Sequence, residues 1–363
     1  MNSGPDRKRA KEIPKVSPYD CLTGRFGRRP IRNRVAKDQS EIGRYILSLE
    51  EITKDDVQQC GGKATSLGEL TRAGARVPPG FCIVADAFSY VVDSNSLRDH
   101  IADIAARLSF DDYNDVEEKT AHIRSLITSA AIPDDLEQDL LGRYRVLVSG
   151  DNKFVAVRSS VAVKDSPISS FPGMMDTYHY VLGEAEVLEK IRECWASLWT
   201  ARAAFVRYQK NIPHDRGLIA CVIQLMVNAD TAGVLFTANP ITKATHEVVI
   251  ESNWGLGESV VSGRSMSDFH VLDKESLAIK QRKIAHKTVM VTMDGDKGSG
   301  RKEQPVPPER ATAPTLSEAQ LVELGEISKK IEQHFNFNAD IEWAYQNGTL
   351  YILQTRRIWH RGE

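Results

Sequence analysis

Asp340-Ile341-Glu342-Trp343-Ala344-Tyr345-Gln346-Asn347-Gly348-Thr349-Leu350-Tyr351-Ile352-Leu353-Gln354-Thr355-Arg356-Arg357 places two runs of mixed apolar and polar residues on either side of an Asn-Gly pair. This is the pattern of a β-hairpin with one face against a core. Side-chain parity makes the stretch decisive, because Glu342 and Gln354 share a metal ion only if they project from the same face. A two-residue Asn347-Gly348 turn pairs Glu342 with Leu353 and sends Gln354 to the other face. A three-residue loop, Gln346-Asn347-Gly348, pairs Glu342 with Ile352 and Asp340 with Gln354, which aligns the polar set. That loop needs a left-handed residue at its last position, supplied by Gly348 as a type I turn with a G1 bulge. The spacing therefore predicts the three-residue loop. Glu342 and Gln354 then offer oxygen ligands suited to Mg²⁺ between phosphates, and Arg356 on the same face meets a terminal phosphate. The alternative is a solvated polar face on an edge hairpin.

Working back along the chain, Ser317 to Phe335 reads as a helix, and Asp294 to Ala313, rich in Gly, Pro and charge, as an exposed loop. Val248 to Glu251 reads as a strand leading into a glycine-rich turn, Trp254-Gly255-Leu256-Gly257-Glu258; Gly233 to Phe236 and Leu218 to Val227 read as further strands. Glu184 to Gln209 is expected as one long amphipathic helix with Leu188, Ile191, Trp195, Leu198 and Trp199 on one side. Phe154 to Arg158 is expected as a strand delivering Arg158-Ser159-Ser160 to its C-terminal end. Residues from about Ala87 to Leu147 look helical, with a fresh start at Pro133, and Phe81 to Val84 looks like a short buried strand. Strands and helices mix without a regular alternation or an internal repeat, so the fold class is α+β in two lobes.

Two further segments carry chemistry. Gly61-Gly62-Lys63 ahead of a helix is either an ordinary loop or a phosphate site, where glycine amides, a helix N-terminus and a lysine converge on anionic oxygens. It lacks the Walker spacing. Arg158-Ser159-Ser160 followed by Ser169-Ser170-Phe171-Pro172-Gly173-Met174-Met175-Asp176-Thr177 is either a phosphate fork with a small-residue lid or a surface arginine beside a Ser-rich loop.

The chain is 363 residues long, with 47 Lys+Arg against 49 Asp+Glu and a net charge of −2, which argues against a nucleic-acid or membrane-surface protein held by bulk charge. Its most apolar stretch, Leu218 to Val227, is interrupted by Gln224 and too short to span a bilayer. Nothing at the N-terminus marks secretion, and the cytoplasm is expected. Cys21, Cys60, Cys82, Cys194 and Cys221 are odd in number and widely spaced, so they are expected as reduced and mostly buried thiols. Residues 1–40 are basic and poor in large apolar side chains, either a solvated tail or an arm that docks on an acidic partner.

From about Glu51 to Ile358 the sequence resembles the N-terminal ATP-binding domain of the phosphoenolpyruvate synthase, pyruvate phosphate dikinase and rifampicin phosphotransferase family. Seven strings occur in the family's order: Gly61-Gly62-Lys63 with Ser66-Leu67-Gly68; Val77-Pro78-Pro79-Gly80-Phe81; Val157-Arg158-Ser159-Ser160; Pro172-Gly173-Met174-Met175-Asp176-Thr177; Trp254-Gly255-Leu256-Gly257-Glu258; Asp340-Ile341-Glu342-Trp343; and Leu353-Gln354-Thr355-Arg356. The resemblance implies an ATP-grasp-like clamp holding ATP and Mg²⁺ between two lobes, residues 41–225 and 226–363. It implies that Lys63 and Arg158 bind phosphates, that Gly173 and Thr177 belong to a closing loop, and that Gln224 lies near the nucleoside. It further implies that Glu342 and Gln354 ligate magnesium and that Arg356 acts on the transferred end of ATP.

In the family, ATP phosphorylates a histidine on a swivelling domain, which follows Thr-x and opens a small-residue helix. Here His179, in Thr177-Tyr178-His179-Tyr180, has a threonine two residues before it, but Tyr180-Val181-Leu182-Gly183 does not fit that helix, and the other eight histidines do not match the full pattern either. The carrier is therefore expected on a larger partner subunit, unless the chain is a truncated piece or a nucleotide-binding module without turnover. The arrangement most resembles the smaller subunit of phenylphosphate synthase, which implies phenol as acceptor and release of AMP and phosphate. Pyruvate or an antibiotic hydroxyl is the alternative acceptor.

Overall fold

The computed structural model describes residues 45–163, 176–263 and 265–358; Gly173, most of the loop around it and the basic stretch 1–40 lie outside the described residues. The first half of the chain builds β1 (Ile46–Ser48), α1 (Val57–Arg72), β2 (Gly80–Ile83), α2 (Ala85–Ser94), α3 (Arg98–Ala105), α4 (Tyr113–Thr128), α5 (Asp134–Leu147), β3 (Val155–Val163), β4 (Thr177–Val181), α6 (Glu184–Ala196), α7 (Ala201–Gln209) and β5 (Gly217–Leu225). The second half follows with β6 (Thr231–Phe236), β7 (Glu247–Trp254), α8 (Glu258–Val261), β8 (Asp268–Asp273), β9 (Ile279–Lys283), β10 (Val289–Met293), β11 (Arg301–Pro305), α9 (Pro308–Ala311), α10 (Glu318–Phe335), β12 (Ala339–Gln346) and β13 (Thr349–Arg357). The fold is α+β. Strands β1-β2-β5-β3-β4 form one sheet, β13-β12-β6-β7-β8-β9 a second, and β10-β11 a separate ribbon. Every strand pair is antiparallel.

Strand β5 explains why the Leu218–Val227 run is almost wholly apolar. Ile219, Cys221 and Ile223 point into a core shared with α2–α6, while Ala220 and Val222 point into a second core with α1. A strand buried on both faces has no polar side to show. The second core also takes Leu235, Val248, Ile250, Ile341, Trp343 and Ile352 from the six-stranded sheet and Leu321, Leu324 and Ile331 from α10. Helix α1 packs on β3 and β5 and also on β13, so it ties the two sheets together. Ser66 on α1 reinforces this by donating its hydroxyl to Thr355 O at 2.9 Å.

Three expectations change. The hairpin turn is the two-residue Asn347-Gly348, both residues left-handed (φ 50° and 73°), with Gln346 opposite Thr349. An Asn-Gly type I′ turn matches strand twist better than the three-residue alternative. The polar set still aligns, because a bulge at Leu353 moves the register by one: Trp343 faces Ile352, then Glu342 faces Gln354 and Asp340 faces Arg356. Second, β3 runs on to Val163, so Arg158-Ser159-Ser160 is mid-strand and buried. Third, the expected long helix breaks at Thr200, whose hydroxyl accepts Ala203 N–H and caps α7. The freed Leu198 carbonyl takes a 2.7 Å hydrogen bond from buried Arg207.

The segment expected as an exposed loop, Asp294–Ala313, holds β11 and α9. Strand β11 is the run Arg301-Lys302-Glu303-Gln304-Pro305, charged or polar on both faces up to its proline, which leaves no apolar period to read. Cys60, Cys82, Cys194 and Cys221 are buried free thiols; Cys21 lies outside the described residues. No helix among the described residues is long and apolar enough to cross a membrane.

Candidate functional site

A cleft of about 1140 Å³ gathers Lys63, Arg158, Thr177, Gln224, Glu342, Gln354 and Arg356 into one lining. Each arrives from a different position in the fold. Lys63 sits just past a break in α1 at Gly61, whose φ of 72° and close approach to β3 both require glycine: a Cβ there would lie 2.5 Å from the Ser160 carbonyl carbon. Ser160 receives Ala64 N–H on its hydroxyl at 3.0 Å, and the Ser159 hydroxyl donates to Asp176 O at 3.0 Å. Both serines therefore hold backbone in place, rather than forming the phosphate fork expected for them.

Arg158 is 8% exposed, and the partners it hydrogen-bonds are neutral. Its Nη1 donates to Gln224 Oε1 at 2.9 Å and to Leu353 O at 2.8 Å, and its Nη2 donates to Gln354 Oε1 at 3.1 Å. The bulge thus does two things: it sets the register of the polar ladder and turns a carbonyl toward Arg158. Gln224, expected near a nucleoside, is 2% exposed, with Oε1 accepting from Arg158 and Nε2 donating to Pro78 O at 2.9 Å. The Val77-Pro78-Pro79-Gly80 turn therefore positions the arginine through Gln224.

On the opposite sheet, Arg356 Nε donates to Asp340 Oδ2 at 2.9 Å and its Nη2 to Glu342 Oε1 at 3.2 Å, while Gln354 Nε2 donates to the same Glu342 oxygen at 3.3 Å. Burial pushes the Asp340 carboxyl up, against the pull of Arg356. Burial, with Arg158 alongside, holds the Lys63 ammonium down to about 8, opposed by Glu342. Burial likewise lowers Arg158 from the usual arginine value. Converging cations on one cleft wall suit an anion, with greatest effect on multiply charged oxygens.

For a divalent cation, Glu342 provides a carboxylate and Asp340 Oδ1 is buried without a hydrogen-bond partner, while cross-strand Gln354 accepts from Arg158 on its Oε1 and donates its Nε2 to Glu342, so its oxygen joins the set once the amide leaves Arg158. This hard-oxygen set fits Mg²⁺. No cluster of three His, Cys, Asp or Glu that could hold a metal ion occurs among the described residues. The arrangement therefore suits an ion that takes its other ligands from phosphates and water.

Arg301 and His179 also line the cleft. Arg301 comes from β11 and pairs with Glu258 at 2.8 Å, at the head of α8 just past the glycine-rich turn. Nothing in the charged run of β11 singles it out. His179 lacked a role because the carrier motif around it is incomplete.

The two sheets and the cationic cleft define a mixed α+β domain built to bind a polyphosphate ligand. Residues 57–363 match the family model described as pyruvate phosphate dikinase, AMP/ATP-binding domain, and the chain belongs to that family. It is similar to a probable phosphoenolpyruvate synthase of Pyrococcus horikoshii, at 38% identity over 87% of this chain and 43% of the relative. It is also similar to phosphoenolpyruvate synthase of Pyrococcus furiosus, at 37% identity over 87% of this chain and 44% of the relative, and to a probable phosphoenolpyruvate synthase of Staphylothermus marinus, at 40% identity over 86% and 41%. The chain thus spans less than half the length of these curated relatives. It is the N-terminal, ATP-binding part of the phosphoenolpyruvate synthase and pyruvate phosphate dikinase architecture.

Proposed function

We propose that the chain holds Mg-ATP between its two sheets, acting as the lobes (residues 41–225 and 226–363) of an ATP-grasp-like clamp, and delivers phosphate to a histidine on a larger partner subunit. The partner histidine, ATP and water then give phosphohistidine, AMP and inorganic phosphate: the bond between the α- and β-phosphates breaks to release AMP, the histidine nitrogen bonds the β-phosphorus, and water takes the γ-phosphate. The observation that carries this reading is the convergence of Lys63, Arg158 and Arg356 with the Glu342–Gln354 pair on one cleft. Lys63 and Arg158 bind phosphate oxygens, and Arg356 leaves Asp340 and Glu342 to meet the transferred end. Gly173 belongs to the loop that closes over the phosphates, Thr177 stands where that loop enters β4 opposite Arg158, and Gln224 braces Arg158 and lies near the nucleoside. Glu342 and Gln354 hold magnesium, which neutralises charge on the phosphate chain when bound. Phosphoryl transfer rests on such positioning and charge neutralisation, so no nucleophile is required of the clamp itself.

Similarity to phosphoenolpyruvate synthases supports pyruvate as the final acceptor rather than the phenol expected from the resemblance to phenylphosphate synthase. The test mixes this chain with ATP, Mg²⁺ and a polypeptide carrying the Thr-x-His domain, with pyruvate or phenol added. AMP production with an acid-labile phosphate on the partner is expected. ADP as the nucleotide product refutes the dikinase mechanism, and tight ATP binding without transfer assigns a non-catalytic module. The phosphorylated acceptor decides between pyruvate and phenol.

A further inference from the structure

Strand β4 carries a second bulge on the cleft wall. Val157 faces Tyr178 and Val155 faces Val181, so His179 and Tyr180 together oppose the single residue Ala156. Tyr180 pays for this with a left-handed backbone (φ 54°), a conformation a bulky aromatic residue rarely adopts. Three contacts hold it there: its hydroxyl donates to Asn228 Oδ1 at 3.1 Å, its carbonyl accepts Gly300 N–H at 3.0 Å, and its ring meets Phe154 edge-on at 5.9 Å between centroids. The strained bulge keeps His179 on the same wall as Thr177, facing the cleft. Its Nδ1 is fully buried without a hydrogen-bond partner.

We propose that His179 is a nucleotide-binding residue whose Nε2–H donates to a phosphate oxygen of the bound ATP. Burial and the charges of Arg158, Arg301 and Lys63 hold the ring neutral, with its pKa lowered to about 3. A neutral imidazole carries one proton. Buried Nδ1 has no acceptor to receive it, which leaves the proton on Nε2. A donor among three cations matches an anionic oxygen, and a strained backbone beside it is expected where a site rather than the fold dictates the conformation. The inference rests on the reading of the cleft as an ATP site.

The test compares wild type, His179→Leu and His179→Gln for binding of ATP, ADP and adenosine by calorimetry, with thermal melting of each variant. His179→Leu is expected to lose about 10- to 100-fold in ATP and ADP affinity, to bind adenosine as before, and to melt at or above the wild-type temperature, because it removes an unpartnered buried nitrogen. His179→Gln, with an amide donor near the Nε2 position, is expected to recover most of the loss. Equal ATP affinity in wild type and His179→Leu overturns the inference. So does equal loss for adenosine, or an acid-labile phosphate on this chain that disappears with His179, which makes the ring a nucleophile. Failure of wild type to bind ATP overturns the site reading instead, so the two failures are distinguishable.

Discussion

Two lysines set in the interior show how the chain treats buried charge in two different ways. Lys287 is fully buried and meets Asp268 at 2.6 Å, while Asp268 also accepts Ala285 N–H, Thr315 N–H and the Thr315 hydroxyl. Both Asp268 oxygens and the Lys287 ammonium have partners inside the protein. Lys63, beside the cleft, has no carboxylate within ion-pair distance among the described residues, and neighbouring Arg158 is held by neutral oxygens alone. One cation is neutralised by the fold. The other two meet no such internal anion among the described residues, and under the proposed function bound phosphate supplies their counter-charge.

This contrast sets the predictions. Replacing Lys287 with methionine leaves the Asp268 carboxylate buried without its counter-charge, and the expected cost is about 3 kcal/mol of stability in urea unfolding. ATP affinity of the folded fraction is expected within twofold of wild type; a larger change links the two regions. Arg158→Met is expected to do the reverse. It removes a buried cation that lacks an internal anion, so the melting temperature holds or rises while ATP affinity drops about 10- to 100-fold. A marked fall in melting temperature would place Arg158 with Lys287 as a structural charge.

Acidity sharpens the comparison further. The folded protein holds Lys63 at about 8, below its ordinary value of 10.5. As pH rises through 8 the ammonium is lost before ATP arrives, and affinity measured between pH 7 and 9.5 is expected to fall in wild type but stay flat in Lys63→Met. Folding has the opposite sign: the unfolded lysine binds more protons between these two values, so the Lys63 penalty on stability lessens as pH rises across that window. The smallest effect belongs to Gln224→Met, which takes away one Arg158 partner and the link to Pro78. A three- to tenfold loss of ATP affinity is expected, and no loss assigns Gln224 to packing.

The sequence picked out Lys63, Arg158, Thr177, Gln224, Glu342, Gln354 and Arg356, and the fold brings them onto one cleft, while their roles toward phosphate belong to the proposed function. What single-sequence reasoning lacked was register. The face shared by Glu342 and Gln354 was read correctly, while the device was not: a tight Asn-Gly turn and a bulge at Leu353 give the same parity as one longer loop, and strand alternation does not distinguish them. Ser159 and Ser160 resemble a phosphate fork because a hydroxyl that braces backbone and one that binds ligand are the same residue type. Strands β9 and β11 went unread for a different reason, since partly exposed strands rich in charge carry little apolar period.

The β10–β11 ribbon has a mechanical meaning. Although its sequence lies between strands of the six-stranded sheet, it reaches the other half of the molecule, where Gly300 N–H meets Tyr180 O and the Ser299 hydroxyl meets Glu186 at 3.3 Å. With Ser66 fastened to Thr355 elsewhere along the seam, the two sheets are laced together at both places. Spreading them apart breaks these stitches, so the exchange rate of the Gly300 amide with solvent is a built-in gauge of how often the seam opens, and ligand held across it slows that clock.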